Sequence, residues 1–196
     1  MMQRKLVGAL FAIFGLMPWS GAAAATPAGT VIQVSGSCTV HGRVLNRGDV
    51  VQVGDTLDVP AGGNLKLQMA DGSAISIAPG SIITVAEYEN AGFGRGAKLL
   101  LAQGLLRVTS LTHPFEVSTA VGTAVVASDS GQWFIKVGAG LAQIGVLAGT
   151  VDLTSVTGVS VSIPAHWGTR LEVGRAPIPP RVWSQMEFNA LKRLTQ

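Results

Sequence analysis

The sequence predicts an all-β fold, a sandwich or solenoid of many short strands, with a short helix at the C-terminus. Three observations carry that expectation. From Val31 onward apolar and polar residues alternate over short runs, as in L-K-L-Q-M and A-I-S-I, the mark of half-buried strands. Gly, Asp-Gly or Pro-Gly closes most runs, and this accounts for much of the chain's 25 glycines. The turn signals recur too closely for strand–helix–strand units.

Taken in order, the chain opens with a secretory pattern. Arg4 and Lys5 precede an uncharged apolar run, Leu6 to Met17, which Pro18 breaks. G-A-A-A-A then supplies small residues, so residues 1–25 are expected as a signal peptide cleaved after Ala25. An uncleaved inner-membrane anchor is the alternative, and it needs Pro18, Trp19 and the alanines to count as membrane span. The mature chain is expected in the periplasm or outside the cell. Residues 26–173 form the β domain, of a size that supports one core.

Within that domain Leu65, Leu67 and Met69 face one side while Lys66 and Gln68 face the other. Ile75 and Ile77 repeat the pattern about Ser76, and Val151 and Leu153 about Asp152. Asp71-Gly72 between two such runs predicts a tight two-residue hairpin turn. Asn90 to Ala97, N-A-G-F-G-R-G-A, reads as a glycine-rich hairpin loop. Residues 174–181, G-R-A-P-I-P-P-R, predict an extended linker. Residues 182–194 predict a helix whose apolar face is Trp183, Met186, Ala190, Leu191 and Leu194, docked on the sheet. Lys192 and Arg193 suit its C-terminal dipole.

Charge argues against nucleic acid as a partner. The formal charge is +3, from 14 basic and 11 acidic residues. Loss of Arg4 and Lys5 with the signal leaves 12 basic against 11 acidic. The basic residues are scattered and aromatics make up only 6% of the chain, so there is neither a phosphate-tracking stripe nor a stacking surface.

No residue set reads as catalytic, cofactor-binding or metal-binding. N-R-G-D-V-V-Q-V-G-D-T-L-D-V (Asn46 to Val59) gathers Asp49, Asp55 and Asp58, but strand-like pieces separate them, unlike a calcium loop. Its Arg47-Gly48-Asp49 triplet matches an adhesion motif without the context such a motif requires. Turn chemistry explains the stretch, with the Asp side chains accepting from nearby backbone amides. His41, His113 and His166 lack zinc-ligand spacing. Cys38 lies three residues from His41, an odd spacing that places the two on opposite faces of a strand. As the sole cysteine, Cys38 is expected as a small buried residue, with a bridge between chains as the alternative. Glu87 and Glu89 share a strand face and are the one pair that acid–base glycoside chemistry could use. Trp133 and Phe134 are expected in the core and at its rim.

The order of pieces resembles the FecR-like domain, the family of the ferric citrate regulator. The resemblance rests on G-T-V-I-Q-V-S-G, R-G-D-V-V-Q-V-G-D-T-L, D-G-S-A-I-S-I-A-P-G-S, L-L-L-A-Q-G-L-L-R-V and H-P-F-E-V-S-T, between Gly29 and Val137. It implies a non-enzymatic β domain of the cell envelope, in signalling members a relay between an outer-membrane transporter and a sigma factor. The chain departs from that pattern. Five residues precede its apolar run, Ala120 stands where the family has Pro, and the Arg-Gly-Thr before the final strand is missing. A stand-alone exported module with an envelope protein as partner is therefore expected, with a scaffold for peptidoglycan or polysaccharide as the alternative. Membrane contact is expected only through an uncleaved signal segment, and the oligomeric state stays open.

Overall fold

In the computed structural model, which describes residues 26–89, 96–111, 114–128 and 130–196, the short strands sort into two layers. The strands of the first half are β1 (Pro27–Ser35), β2 (Thr39–Val40), β3 (Arg43–Val44), β4 (Val50–Gln52), β5 (Thr56–Val59), β6 (Asn64–Met69), β7 (Ala74–Ile77) and β8 (Ser81–Glu89). Those of the second are β9 (Gly96–Ser110), β10 (Phe115–Ser118), β11 (Gly122–Val126), β12 (Gly131–Gly138), β13 (Leu141–Ala148), β14 (Thr150–Ser155), β15 (Ser160–Pro164), β16 (Trp167–Glu172) and β17 (Arg181–Val182). One layer runs β4-β1-β6-β7-β9-β12-β13-β16-β17. The other runs β3-β2-β5-β8-β9-β10-β11-β14-β15. Every pairing is antiparallel except β9 with β10. The fold is all-β, as the alternation predicts.

Strand β9 belongs to both layers. Its first half, Gly96–Gln103, pairs with β8, and from Gly104 onward it pairs with β7 and β12. Leu99 and Leu101 point inward before the crossing, Leu106 and Val108 after it, so the inward phase slips by one residue. Gly104 makes the slip at φ +106. A Cβ there would lie 2.1 Å from Ser81 Oγ, so only glycine fits. The buried Ser81 hydroxyl ties the crossing, donating to Ala78 O at 2.6 Å and accepting from Leu105 N at 3.1 Å. The runs K-L-L-L and L-L-R-V, separate pieces by pattern, are thus one strand broken in phase.

The inward faces meet in one continuous core that includes Leu65, Leu67, Met69, Ile75, Ile77, Trp133, Ile135, Val151 and Leu153. Leu65, Leu67, Ile75, Ile77 and Leu153 are at most 1% exposed, as their alternation predicts. Cys38 is fully buried among them, its thiol directed at Ser35 O. Burial pushes that thiol's pKa up.

Two turns depart from expectation. Asp71-Gly72 is not a two-residue turn; Met69 N donates to Ser73 O, and Asp71 accepts from Ser73 N, closing a wider loop. Only Gly72 takes positive φ there, whereas a two-residue turn of the expected type needs both central residues so. That turn occurs instead at His41-Gly42, with φ of 47° and 77°, between β2 and β3.

The C-terminal segment closes the outer face of the first layer. The helix α1 spans Gln185–Leu194, shorter than 182–194 because Ser184 caps it. Ser184 and Glu187 form a reciprocal capping box, the S-x-x-E signature, while Arg181 and Val182 still pair as strand. The expected apolar face is corrected: Phe188 and Leu191 are buried, but Met186 is 78% and Leu194 48% exposed, and Ala190 is also exposed. Trp183 lies ahead of the helix, so the docked face is set by Phe188 and Leu191 and rotated from the predicted one. These residues pack with Ala78, Leu105 and Phe134 in a second, smaller core. Trp183 lies flat on the cross-strand pair Gly145 and Gly168, where added Cβ atoms would come within 2.3 and 2.1 Å of the indole. Residues 174–181, expected as a linker, run along β16 as a strap, with Ile178 N donating to Arg170 O.

Candidate functional site

Two aspartates of the Asn46 to Val59 stretch, Asp49 and Asp55, are taken up by turns. Asn46 N donates to Asp49 Oδ2 at 3.0 Å, and Gln52 N donates to Asp55 Oδ2 at 2.8 Å, so one turn is built twice, six residues apart. Arg43 adds an ion pair to Asp49 at 2.8 Å, and the Asn46 amide with this guanidinium lowers the Asp49 pKa. Asp55 meets the ring of the exposed His41 at 3.0 Å. Asp58 faces outward on β5, apart from both. Cys38 is buried and His41 exposed, on opposite sides of β2, so no Cys–His dyad forms. His166 occupies a turn at φ 68°. His113 and the loop residues 90–95 lie outside the described residues, as do residues 1–25. Among the described residues no three His, Cys, Asp or Glu gather as a metal site. No described helix is long and apolar enough to cross a membrane.

Glu87 and Glu89 do share a cleft. It holds about 260 Å³ and is lined also by Lys98, Pro114 and Glu116. Lys98 Nζ lies 4.0 Å from Glu87 and 3.4 Å from Glu116, and Ser118 donates to Glu116 at 2.8 Å. A cation seated between two carboxylates is a surface ion network, worth little to stability singly.

The more extensive feature is the outward face of the second layer. Register places Thr56, Thr84, Leu100, Ser118, Thr123, Thr154 and Ser160 in one row across seven strands. At the usual strand spacing the row is about 29 Å long. Its hydroxyls pair in steps: Thr56 with Thr84 at 2.8 Å, Ser118 with Thr123 at 3.2 Å, Thr154 with Ser160 at 2.8 Å. A parallel row carries Glu87, Lys98, Glu116, Val125, Asp152 and Ser162, with Ser162 donating to Asp152. The face is therefore polar, hydroxyl-rich and acidic at one margin. A concavity of about 310 Å³ lies at its middle, over Leu100 and Ser118. Such a face can match an extended polar surface or chain through hydroxyl donors and acceptors. The outward Ser and Thr positions are visible in V-S-V-S and T-V-D-L-T, but their alignment across strands is not.

The other outward face differs in character. α1 covers its middle, Trp133 and Phe134 are fully buried on opposite sides of β12, and Arg107 stacks over Phe134 at 5.7 Å.

A family profile described as FecR protein matches residues 55–152, half of the chain. No curated protein matches. Two crystal structures of a candidate anti-sigma factor from Parabacteroides distasonis share the fold. One aligns at 14% identity and TM-score 0.57, over 69% of this chain and 62% of that one. The other aligns at 13% identity and TM-score 0.55, over 69% and 63%. The chain thus spans less than two thirds of these neighbours' length.

Proposed function

The chain belongs to the FecR protein family, and on that premise we propose that it is a regulatory binding module of the cell envelope rather than an enzyme. The family match carries the reading. The neighbours' description as candidate anti-sigma factors agrees with a regulatory role. The disposition of reactive side chains agrees as well, since Asp49 and Asp55 close turns and Cys38 is core. In this proposal residues 1–25 direct export and the β domain works outside the cytoplasm, with an envelope protein as partner. Affinity capture from envelope extract, with the purified protein as bait, tests it. One envelope protein should be enriched reproducibly over an unrelated β protein of similar charge. Equal recovery on both baits across replicates would sink the proposal.

A second reading is favoured by the hydroxyl row from Thr56 to Ser160, which suits an extended polysaccharide or peptidoglycan strand. Co-sedimentation with purified cell wall separates the two. Pelleting that Thr84→Val and Thr123→Val abolish supports the polymer, and a protein that stays in the supernatant rules it out.

A further inference from the structure

The strand edges of the two layers are not treated alike. One edge of the first layer carries β4 on β1, and the other carries the strap through Ile178 and β17. The far edge of the second layer ends in the two-residue hairpin strand β3. Only β15, among the described residues, presents a regular five-residue edge that pairs on one side alone. It carries no charge, and its ladder with β14 runs in unbroken register, so two usual defences of an edge, a charge or a bulge, are missing.

The phase of the ladder tells which groups are free. Ser155 N donates to Val159 O, so Val159, Val161 and Ile163 turn their backbones toward β14. Ser160 and Ser162 turn theirs away, and Pro164, which has no N–H, falls in the same outward phase. The free edge therefore offers two N–H and two C=O groups from two serines. The run V-S-V-S-I reads alike in both directions about Val161, apolar at 159, 161 and 163 and serine at 160 and 162.

We propose that β15 is a docking edge for a second copy of this chain, the two strands pairing antiparallel about a two-fold axis at Val161. Ser160 of one copy then faces Ser162 of the other, and four backbone hydrogen bonds form. Val159, 44% exposed in the single chain, comes opposite Ile163 of the other copy. Across the axis the row that ends at Ser160 meets, through Ser162 of the other copy, the row that carries Asp152 and Glu116, joining the two polar faces into one. An uncharged edge brings no like-charge repulsion to this meeting. Two five-residue edges bury less than the about 1,200 Å² of a standard interface, so the dimer is a weak one that forms over about 10 μM to 1 mM.

Sedimentation velocity over that range tests the proposal. The purified protein should shift from monomer to dimer. Ser162→Pro removes an outward N–H together with the hydroxyl bond to Asp152 and should stay monomeric, while Ser162→Ala, which loses the same hydroxyl but keeps the N–H, should dimerise as the parent does and share its thermal midpoint. Independently, Val161→Cys should oxidise to a disulfide-linked dimer, because the residues at the axis form a non-hydrogen-bonded pair with Cα atoms about 4.5 Å apart. Buried Cys38 does not compete. A parent that remains monomeric throughout, a Ser162→Pro variant that dimerises like the parent, or a Val161→Cys variant that never cross-links would each overturn it.

Discussion

Gly168 and Trp183 are expected to couple so strongly that one substitution reverses sign with its background. A Cβ on Gly168 would sit 2.1 Å from Trp183 Cε2 and 2.4 Å from Nε1, against an ordinary contact near 3.5 Å. The indole is only 5% exposed and is packed against Phe188 at a centroid distance of 5.4 Å. Gly168→Ala should therefore cost about 2–3 kcal/mol, as overpacking does. Trp183→Ala alone should cost about 3–5 kcal/mol, the usual loss for a buried tryptophan. In the Trp183→Ala background the clash is gone, and Gly168→Ala should stabilise by about 0.5–1 kcal/mol, because alanine orders a strand at less entropic cost than glycine. The double-mutant cycle should thus show a coupling of about 3 kcal/mol. Urea unfolding of the four proteins measures it, with α1 followed by circular dichroism. Equal costs of Gly168→Ala in the two backgrounds would refute the glycine slot as the reason the segment docks.

Three further outcomes are expected. Gly104→Ala should cost more than about 3 kcal/mol and sharply reduce folded yield, because its Cβ would meet Ser81 Oγ at 2.1 Å and Ser81 Cα at 2.4 Å on a backbone at φ +106; a thermal midpoint within a few degrees of the parent would contradict the crossing geometry. Cys38 should resist a thiol reagent in the folded protein and react in step with unfolding, since burial raises its pKa; fast labelling of folded protein would show the core is open there. The Arg181 guanidinium, 2.5 Å away, and the Ser184 amide hold the Glu187 pKa down to about 2. Its folded pKa is below its unfolded one, so its contribution is complete above the ordinary glutamate range and is lost as pH falls from there toward 2. Helicity monitored across that window should drop in the parent and less in Glu187→Gln; equal acid sensitivity of the two would count against the cap.

Much of the fold was legible because strand burial has a period of two. Leu65, Leu67, Ile75 and Ile77 announce their direction locally, and the core confirms it. The turn roles of Asp49 and Asp55 were legible too, since a short carboxylate reaches its own turn amide within three residues. The docked face of the helix is not the one that Met186 and Leu194 predict, because helical spacing alone does not say whether their stripe or that of Phe188 finds the sheet. The capping box at Ser184 and Glu187 was present in S-Q-M-E and would have set the boundary. The polar face was hidden for a different reason. Thr56 and Ser160 are 104 positions apart in sequence, and no local rule aligns them.

The chain's own chemistry dictates what neighbours along it can settle: alternating burial, the turns that aspartate and glycine close, the cap of the last helix, and the family pattern they compose. Three-dimensional packing decides the rest. It selects which glycines accept Trp183, makes one residue at position 104 carry a strand from one layer to the other, and lines up hydroxyls from six strands on one face. The physical reason is range. Dihedral preferences and turn hydrogen bonds act over a few residues, whereas register and steric fit are fixed only when distant strands meet.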